Sequence, residues 1–179
     1  NKEFESGLNS DTTLLHQDDT ALSNPKSLNA KLDTGALWIT YIGHGSGTSW
    51  PSMATVYSTT HVKQLKNQPV VKPILIDVAC QNGRLIKGQL GTSFMEVGSG
   101  SDFGTAAYYG GTVNISWHPP AVMAQGIAQE QMSKNYKHLG EALMAGQLYL
   151  ASKWTDTTET IDNLEWYHLQ GDPGMNIQY

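Results

Sequence analysis

Two continuous apolar runs, each the length of a strand, constrain the fold of this chain more than any other feature. They are ALWITYI at residues 36–42 and KPILIDVAC at residues 72–80. An unbroken apolar run of this length is typical of a strand covered on both faces of its sheet. Between them lies STTHVKQLK at 58–66, which has helical character. The spacing leaves room for a right-handed helical crossover, so the two runs are predicted to be parallel strands.

The rest of the chain continues the alternation of strands and helices. Further elements are predicted as a helix at 23–32, a third strand within 104–117, a helical region at 121–153 and a last strand within 164–173. Ser23 or Asn24 can cap the first helix, and Pro25 suits its first turn. Residues 1–23 form a polar lead segment, read as loop with one short element. The pattern predicts an α/β fold with a mainly parallel sheet.

Composition excludes several classes of function. The net charge is −5 and charged residues make up only 15% of the 179 residues, with no basic run that would bind nucleic acid. No apolar stretch approaches the roughly 18 residues that a membrane-spanning helix needs. The first residue is not Met, which fits either a processed fragment or an artificially shortened chain. The one cysteine excludes an internal disulfide and a cysteine zinc cluster.

A histidine and the one cysteine follow the two expected strands at the same offset. His44 lies between two glycines in YIGHGSG, two residues past 36–42, and Cys80 lies two residues past the strand expected at 73–78. The carboxyl ends of parallel strands meet at one edge of a sheet, where ligands and reacting groups gather. If the two strands are neighbours, His44 and Cys80 are therefore expected to lie close together.

Cysteine with histidine makes a complete nucleophile and base. A thiolate attacks a carbonyl carbon, and an imidazole takes a proton and later returns it. The oxyanion that forms needs N–H donors, for which the amides of Gly45 and Cys80 are the candidates. Each residue also has a plainer interpretation, His44 as part of a tight turn and Cys80 as a buried packing residue.

The order and spacing of five segments resemble the gingipain family of cysteine peptidases. The segments are YIGHGSGTSW, TTHVKQL, ILIDVACQNG, VNISW and LQGDPGM. Members of that family share the caspase-like fold with caspases, legumain and clostripain. The resemblance runs from about Ala36 to the C-terminus and is densest around His44 and Cys80. It implies a three-layer α/β sandwich with a mainly parallel central sheet, to which this chain supplies the later strands and helices.

The resemblance implies a role for each candidate residue. Cys80 would be the nucleophile and His44 the catalytic histidine of an endopeptidase that acts on peptides and proteins through a thioester acyl-enzyme. The amides of Gly45 and Cys80 would form the oxyanion hole. The implied lining of the substrate pocket is Asn114, Ile115, Ser116 and Trp117. A plainer interpretation of Trp117 is a surface anchor before the prolines at 119–120.

The resemblance also implies a missing partner. A caspase-like domain has two more strand–helix units upstream, whereas only 35 residues precede Ala36 here. We therefore expect residues 1–179 to be one subdomain, the C-terminal part of a catalytic domain, and a second chain to carry the N-terminal half. In arginine- and lysine-cleaving members an acidic residue lies in the substrate pocket and a second acidic residue supports the catalytic histidine. Both come from the part of the chain upstream of the histidine strand. Asp18 and Asp19 read as a solvated turn rather than as substitutes.

No cofactor is expected for the chemistry, although the resemblance implies a structural calcium ion. Spacing does not select among the candidate acids, which are Asp102, Asp156, Asp162 and Asp172. The six histidines contain no His-Glu-x-x-His pair, which argues against catalytic zinc. The family resemblance and the neutral polar composition favour a protein secreted by a bacterium or held at its surface.

Two other functions stay open at the level of sequence. A catalytically inactive caspase-like scaffold or secretion-associated domain would ordinarily have lost the nucleophile or the base, and both are present here. A serine or thioester hydrolase would need Gly-x-Ser-x-Gly at a strand-to-helix turn. Ser46 has His44 where the first glycine of that motif belongs.

Overall fold

The computed structural model describes residues 13, 15–66, 72–96, 104–134 and 136–177. They divide into two compact units, a sheet unit within 15–115 and 166–171 and a helical unit within 116–165 and 172–177. The expectation that residues 1–179 form one catalytic subdomain stays a prediction. Most of the polar lead segment lies outside the described residues.

The sheet unit contains two sheets and three helices. Its strands are β1 (Trp38–Ile42), β2 (Ser49–Trp50), β3 (Tyr57–Ser58), β4 (Ile74–Val78), β5 (Ala107–Gly111) and β6 (Tyr167–Gln170). Its helices are α1 (Pro25–Asp33), α2 (Thr59–Val62) and α3 (Leu90–Glu96). The main sheet has the order β1-β4-β5-β6, in which only β6 is antiparallel to its neighbour, and β2 and β3 form a separate antiparallel pair. The predicted α/β class and mainly parallel sheet are confirmed.

The core of this unit is built on β4, in which all five residues are buried. Buried aromatic side chains from four other elements pack in one cluster beside it, with the Trp50 and Tyr57 rings 5.3 Å apart and the Trp50 and Phe94 rings 5.6 Å apart. Removing this apolar surface from water is the main stabilisation of the unit. The cluster holds the short β2–β3 pair, which has no strong sequence signal of its own, against the main sheet.

The prediction that the run 36–42 is covered on both faces is wrong for the residues that the structure describes. Ile39 and Tyr41 pack on the core cluster, whereas Thr40 and Ile42 are exposed. Strand β1 lies at the edge of the sheet, with β4 on one side and no described strand on the other. Among the described residues the apolar run therefore overstated burial, because burial depends on which elements pack on each face of a strand and not on its composition alone.

The first helix begins as predicted, and the second is shorter than predicted. Asn24 caps α1, its side-chain oxygen accepting from the Ser27 amide at 3.0 Å, and Pro25 opens the first turn. The segment predicted as a helix over 58–66 is helical only at α2 and continues as turns. Helix α3 was not predicted, because its seven residues are too few to show a period.

The helical unit contains three helices, α4 (His118–Lys134), α5 (Leu139–Lys153) and most of α6 (Thr157–Trp166). Helices α4 and α5 pack closely where glycines face a neighbour: a Cβ at Gly126 would lie 2.6 Å from the Cβ of Tyr149. The two prolines at 119–120 fall in the first turn of α4, where no intrahelical donor is lost. No described helix has both the length and the apolar character to cross a bilayer.

The last predicted strand, within 164–173, is present but begins later than its sequence pattern suggested. Residues 164–166 end helix α6, and only Tyr167–Gln170 form β6. Helix α6 escaped prediction because it lacks an apolar stripe: it buries Thr160 and Asn163 and exposes Ile161 and Leu164. The third predicted strand is likewise confined to Ala107–Gly111 within 104–117.

Candidate active site

The register of β1 against β4 brings the two loops of interest to the same edge of the sheet. Ile42 lies opposite Val78, and the Gly43 amide extends the ladder by donating to the Val78 carbonyl at 3.1 Å. His44 and Cys80 each follow two residues later. We call residues 43–48 the histidine loop and residues 79–83 the cysteine loop. As expected from the sequence, the two loops are neighbours.

Gly45 shows how closely the two loops pack. A Cβ added at this glycine would lie 2.8 Å from the Cys80 nitrogen and 2.9 Å from the Cβ of Ala79. These distances are shorter than van der Waals contact, so no larger residue fits without moving the backbone. The glycine that follows His44 is therefore needed for contact between the loops, a reason that sequence reasoning did not give.

The backbone of His44 is held on both sides by hydrogen bonds. Its amide donates to Ser52 Oγ at 2.8 Å, and its carbonyl accepts from Tyr41 Oη at 2.9 Å. Burial raises the pKa of Tyr41 to about 12, which keeps the phenol protonated as a donor. The Tyr41 ring also stacks on Trp50 with 4.6 Å between centroids. The main chain of His44 is thus anchored, while its side chain stands exposed at the sheet edge.

Cys80 is half-buried, so its thiol is not sealed in the core. Its Sγ lies 3.8 Å from the Ile115 carbonyl oxygen, the acceptor of a weak S–H hydrogen bond. The next residue, Gln81, has a positive φ of 62° and donates its amide to the Val113 carbonyl at 2.9 Å. Positive φ is uncommon for a residue with a side chain and turns the chain sharply after the thiol.

The two amides predicted to form an oxyanion hole belong to facing loops. Within the described part of the chain, neither the Gly45 nor the Cys80 N–H has a protein acceptor. Amides on facing loops with no acceptor among the described residues are the kind of donors that a developing oxyanion requires, and the oxyanion hole itself stays a prediction.

The predicted pocket residues fall on both sides of the boundary between the two units. Asn114 Oδ1 accepts a hydrogen bond from Gln81 Nε2, and the Ile115 carbonyl accepts one from the Cys80 thiol. Both residues therefore contact the cysteine loop. Ser116 and Trp117 open the helical unit, and Trp117 is 51% exposed. Their place in a pocket stays a prediction.

A buried carboxyl group lies within the central strand. Asp77 is fully buried, and its Oδ2 accepts from Trp50 Nε1 at 3.0 Å, from Asn82 Nδ2 at 3.1 Å and from the Tyr108 hydroxyl. Its Oδ1 has no partner among the described residues. Burial raises the pKa of Asp77 to about 6, although the three hydrogen bonds oppose that shift.

Asn82 connects this carboxyl group to the histidine loop. It is fully buried, and its Oδ1 accepts from the Gly47 amide at 2.8 Å, while its Nδ2 also donates to the Ser49 carbonyl at 3.3 Å. Sequence reasoning missed both Asp77 and Asn82. The available signal was an acid inside ILIDVAC, a run otherwise made of apolar residues and expected to be buried.

The residues considered as calcium ligands do not gather into a site in the part of the chain that is described. No group of three or more His, Cys, Asp or Glu side chains able to hold a metal occurs there, and Asp102 lies outside it. Asp156 accepts from the Glu159 amide at 3.0 Å, and Asp172 from the Gly174 amide at 2.8 Å. Asp19 accepts from two amides of its own turn, as its sequence context suggested.

Comparison with known proteins places the chain in a family. The profile described as "Peptidase family C25" matches residues 3–178. The chain belongs to peptidase family C25. It is 28% identical over 161 residues to gingipain R2 and to gingipain R1 of Porphyromonas gingivalis, alignments that cover 86% of this chain but 21% and 16% of those proteins.

A solved structure shows the same fold. The crystal structure of the Arg-specific cysteine proteinase gingipain R superposes with a TM-score of 0.76 at 28% identity, over 86% of this chain and 36% of that one. The predicted family resemblance and fold class are thereby confirmed. The chain spans about a fifth or less of the gingipains that it matches and about a third of the solved chain.

Proposed function

We propose that this chain carries the nucleophile and the base of a cysteine endopeptidase. The observation that supports this most directly is the register of β1 against β4, which puts His44 and Cys80 on adjoining loops at the carboxyl ends of neighbouring parallel strands. An exposed imidazole and a half-buried thiol at that edge are both open to a substrate. Membership of a peptidase family supports the same reaction.

In the proposed reaction His44 takes the proton of the Cys80 thiol, and the resulting thiolate attacks the carbonyl carbon of a peptide bond, forming a C–S bond. The electron pair of the carbonyl moves to oxygen, and the amides of Gly45 and Cys80 stabilise the oxyanion. When the intermediate collapses, the C–N bond breaks and His44 gives a proton to the leaving amine. His44 then takes a proton from water as the water attacks the thioester, and the Cys80 thiol is regenerated with release of the acid product.

We propose further that a second polypeptide segment completes the domain beside β1. The exposed Thr40 and Ile42 and the free edge of that strand support this, as does the limited share of gingipain R that the chain covers. Asn114 and Ile115, which contact the cysteine loop, are proposed to line one side of the substrate pocket. By analogy with the family, the protein is proposed to act outside the bacterial cell or at its surface.

Labelling and hydrolysis test the proposed reaction. Because Cys80 is the only cysteine of the chain, iodoacetamide should modify that residue, faster than it modifies a free thiol such as glutathione. In the full-length protein, Cys80→Ala should abolish hydrolysis of a mixed peptide library, and His44→Ala should lower kcat/KM by about 10²–10⁴-fold. His16→Ala, at an exposed histidine in the lead segment, is the matched control and should leave kcat/KM unchanged.

The alternatives give different results. Ordinary thiol reactivity with no hydrolysis would favour the inactive scaffold. Inhibition by a fluorophosphonate together with indifference to iodoacetamide would favour a serine hydrolase. Either result would overturn the cysteine peptidase proposal.

A further inference from the structure

We propose that Asn82 is a positioning residue, which holds the histidine loop against the cysteine loop, and that Asp77 keeps the Asn82 side chain in the orientation this requires. The inference rests on the proposed function, because it assumes that His44 and Cys80 react together. It concerns a pair of buried side chains that touch neither the thiol nor the imidazole in the hydrogen bonds described above.

The hydrogen bonds determine which way the Asn82 amide faces. Its oxygen lies 2.8 Å from the Gly47 N–H, which can only donate, and its nitrogen lies 3.1 Å from Asp77 Oδ2 and 3.3 Å from the Ser49 carbonyl, which accept. Turning the amide over would set two donors against each other and an oxygen against two acceptors. Asp77 therefore selects the orientation in which Asn82 can bind Gly47.

The first turn of helix α3 braces the same two loops through the backbone. The Leu90 amide donates to the Gly47 carbonyl at 2.8 Å, and the Gly91 amide donates to the Asn82 carbonyl at 3.0 Å. The Gly47 amide thus binds the side chain of Asn82, and the Gly47 carbonyl binds the backbone of α3. The histidine loop cannot shift without breaking one of these bonds.

Stability alone does not account for this arrangement. A carboxyl group and a primary amide are taken out of water, and one carboxyl oxygen remains without a partner among the described residues. Well-packed apolar residues of similar size are often as stable as a buried polar network, or more so. What the network adds is a directional bond from one loop to the other, and reacting groups lose much of their rate when displaced by about 1 Å.

A charge-swap cycle in the full-length protein tests the proposal. Asn82→Asp keeps an acceptor for Gly47 but loses the donor to Asp77 and sets two carboxyl groups together. Trp50, Asn82 and Tyr108 all donate to the one atom Oδ2, so the asparagine of Asp77→Asn can offer either its oxygen or its nitrogen at that position. In the double variant the nitrogen donates to the carboxylate introduced at position 82, which restores a donor–acceptor pair with the polarity reversed and still offers an oxygen to the Gly47 amide. The acceptor for Trp50 and Tyr108 is lost in that arrangement, a cost that falls on stability and not on kcat per titrated site.

The measured quantity is kcat per active site, with the active sites counted by titration with a peptidyl chloromethyl ketone. A purely structural defect lowers the number of active sites and leaves the rate of each one unchanged. Asn82→Asp alone should lower kcat by at least about tenfold with less than about threefold change in KM. In the Asp77→Asn background the same change should cost less than about threefold.

Asn29→Asp is the matched control. Asn29 also uses its amide nitrogen on a carbonyl, that of His61 at 3.0 Å, and its oxygen on a hydroxyl, that of Tyr57 at 2.8 Å, but it lies on α1 and contacts neither loop. This variant should lower stability without changing kcat per titrated site. If Asn82→Asp yields no folded protein, Asn82→Ala replaces it and should show the same loss of kcat.

The outcomes separate this proposal from the proposed function. If the wild-type protein hydrolyses peptides through Cys80 but kcat per site is unchanged in the Asn82 variants, or the swap gives no rescue, the positioning role is overturned alone. If the wild-type protein shows no hydrolysis that depends on Cys80, the proposed function fails, and the positioning role fails with it.

Discussion

At the residue scale, close packing explains the glycines around His44 more directly than backbone conformation does. Gly45 lies against the Cys80 backbone, and a Cβ at Gly43 would lie 2.9 Å from the Cβ of Ser52. Neither glycine has a positive φ. Both are required because other atoms occupy the space that a side chain would need.

Replacing Gly45 by alanine should therefore damage both the fold and the reaction. We expect kcat/KM to fall by at least about tenfold and the free energy of unfolding to fall by about 1–3 kcal/mol, because the methyl group forces the two loops apart. Gly174→Ala is the control, since a Cβ there meets only the Asp172 carboxylate, at 3.2 Å. Equal kcat/KM for Gly45→Ala and wild type would contradict the contact between the loops.

The buried carboxyl group of Asp77 should make stability depend on pH. Burial raises its pKa from 3.8 to about 6, so between these values the folded protein keeps a proton that the unfolded chain has released. The stability that comes from this extra bound proton is fully present below about pH 4, declines as the pH rises and is lost above about pH 6. The side chain in the Asp77→Asn variant stays neutral, so that variant does not lose this free energy of unfolding, which is on the order of 2–3 kcal/mol.

Thermal unfolding of both proteins between pH 4 and 7 measures this difference. The Tm of Asp77→Asn minus that of wild type should rise by several degrees over the range, whereas Gly174→Ala, which changes no ionisable group, should show no such trend. A difference that stays flat, or that falls with rising pH, would show that Asp77 is ionised throughout.

At the scale of single elements, β1 is the strand whose surroundings in the structure differ most from expectation. Its sequence is apolar except for Thr40, yet Ile42 is 51% exposed and the outer edge of the strand pairs with no described residue. Exposed apolar edge strands tend to pair with other chains. This is why a second polypeptide segment is proposed at this edge.

Ile42→Lys should weaken the association of this chain with that segment. When the N-terminal half of the domain is supplied separately, we expect the apparent affinity measured by titration to fall at least about tenfold, because a lysine charge would have to be buried. Val56→Lys, at a residue 47% exposed in the loop before β3, should have no effect. A 19.5 kDa chain that is compact and active alone would contradict the proposal.

At the scale of the whole molecule, local patterns predicted the elements that have strong periodic or capping signals. The apolar runs became β1 and β4, Asn24 and Pro25 began α1, and two long helices formed within or beside 121–153. The β2–β3 pair was missed because tertiary contacts with the core, rather than its own propensities, hold it in place. Helix α6 was missed because it buries polar residues and exposes apolar ones.

By itself, the sequence determined the α/β class, the family and the two residues on which the proposed chemistry depends, because strand length, loop offset and residue type are all local properties. Only the tertiary structure decided that Gly45 must be small and that Asp77 and Asn82 join the two loops. The reason is physical. Contacts between residues 30 or more positions apart depend on strand register and packing, and no local pattern encodes the distance between two backbones.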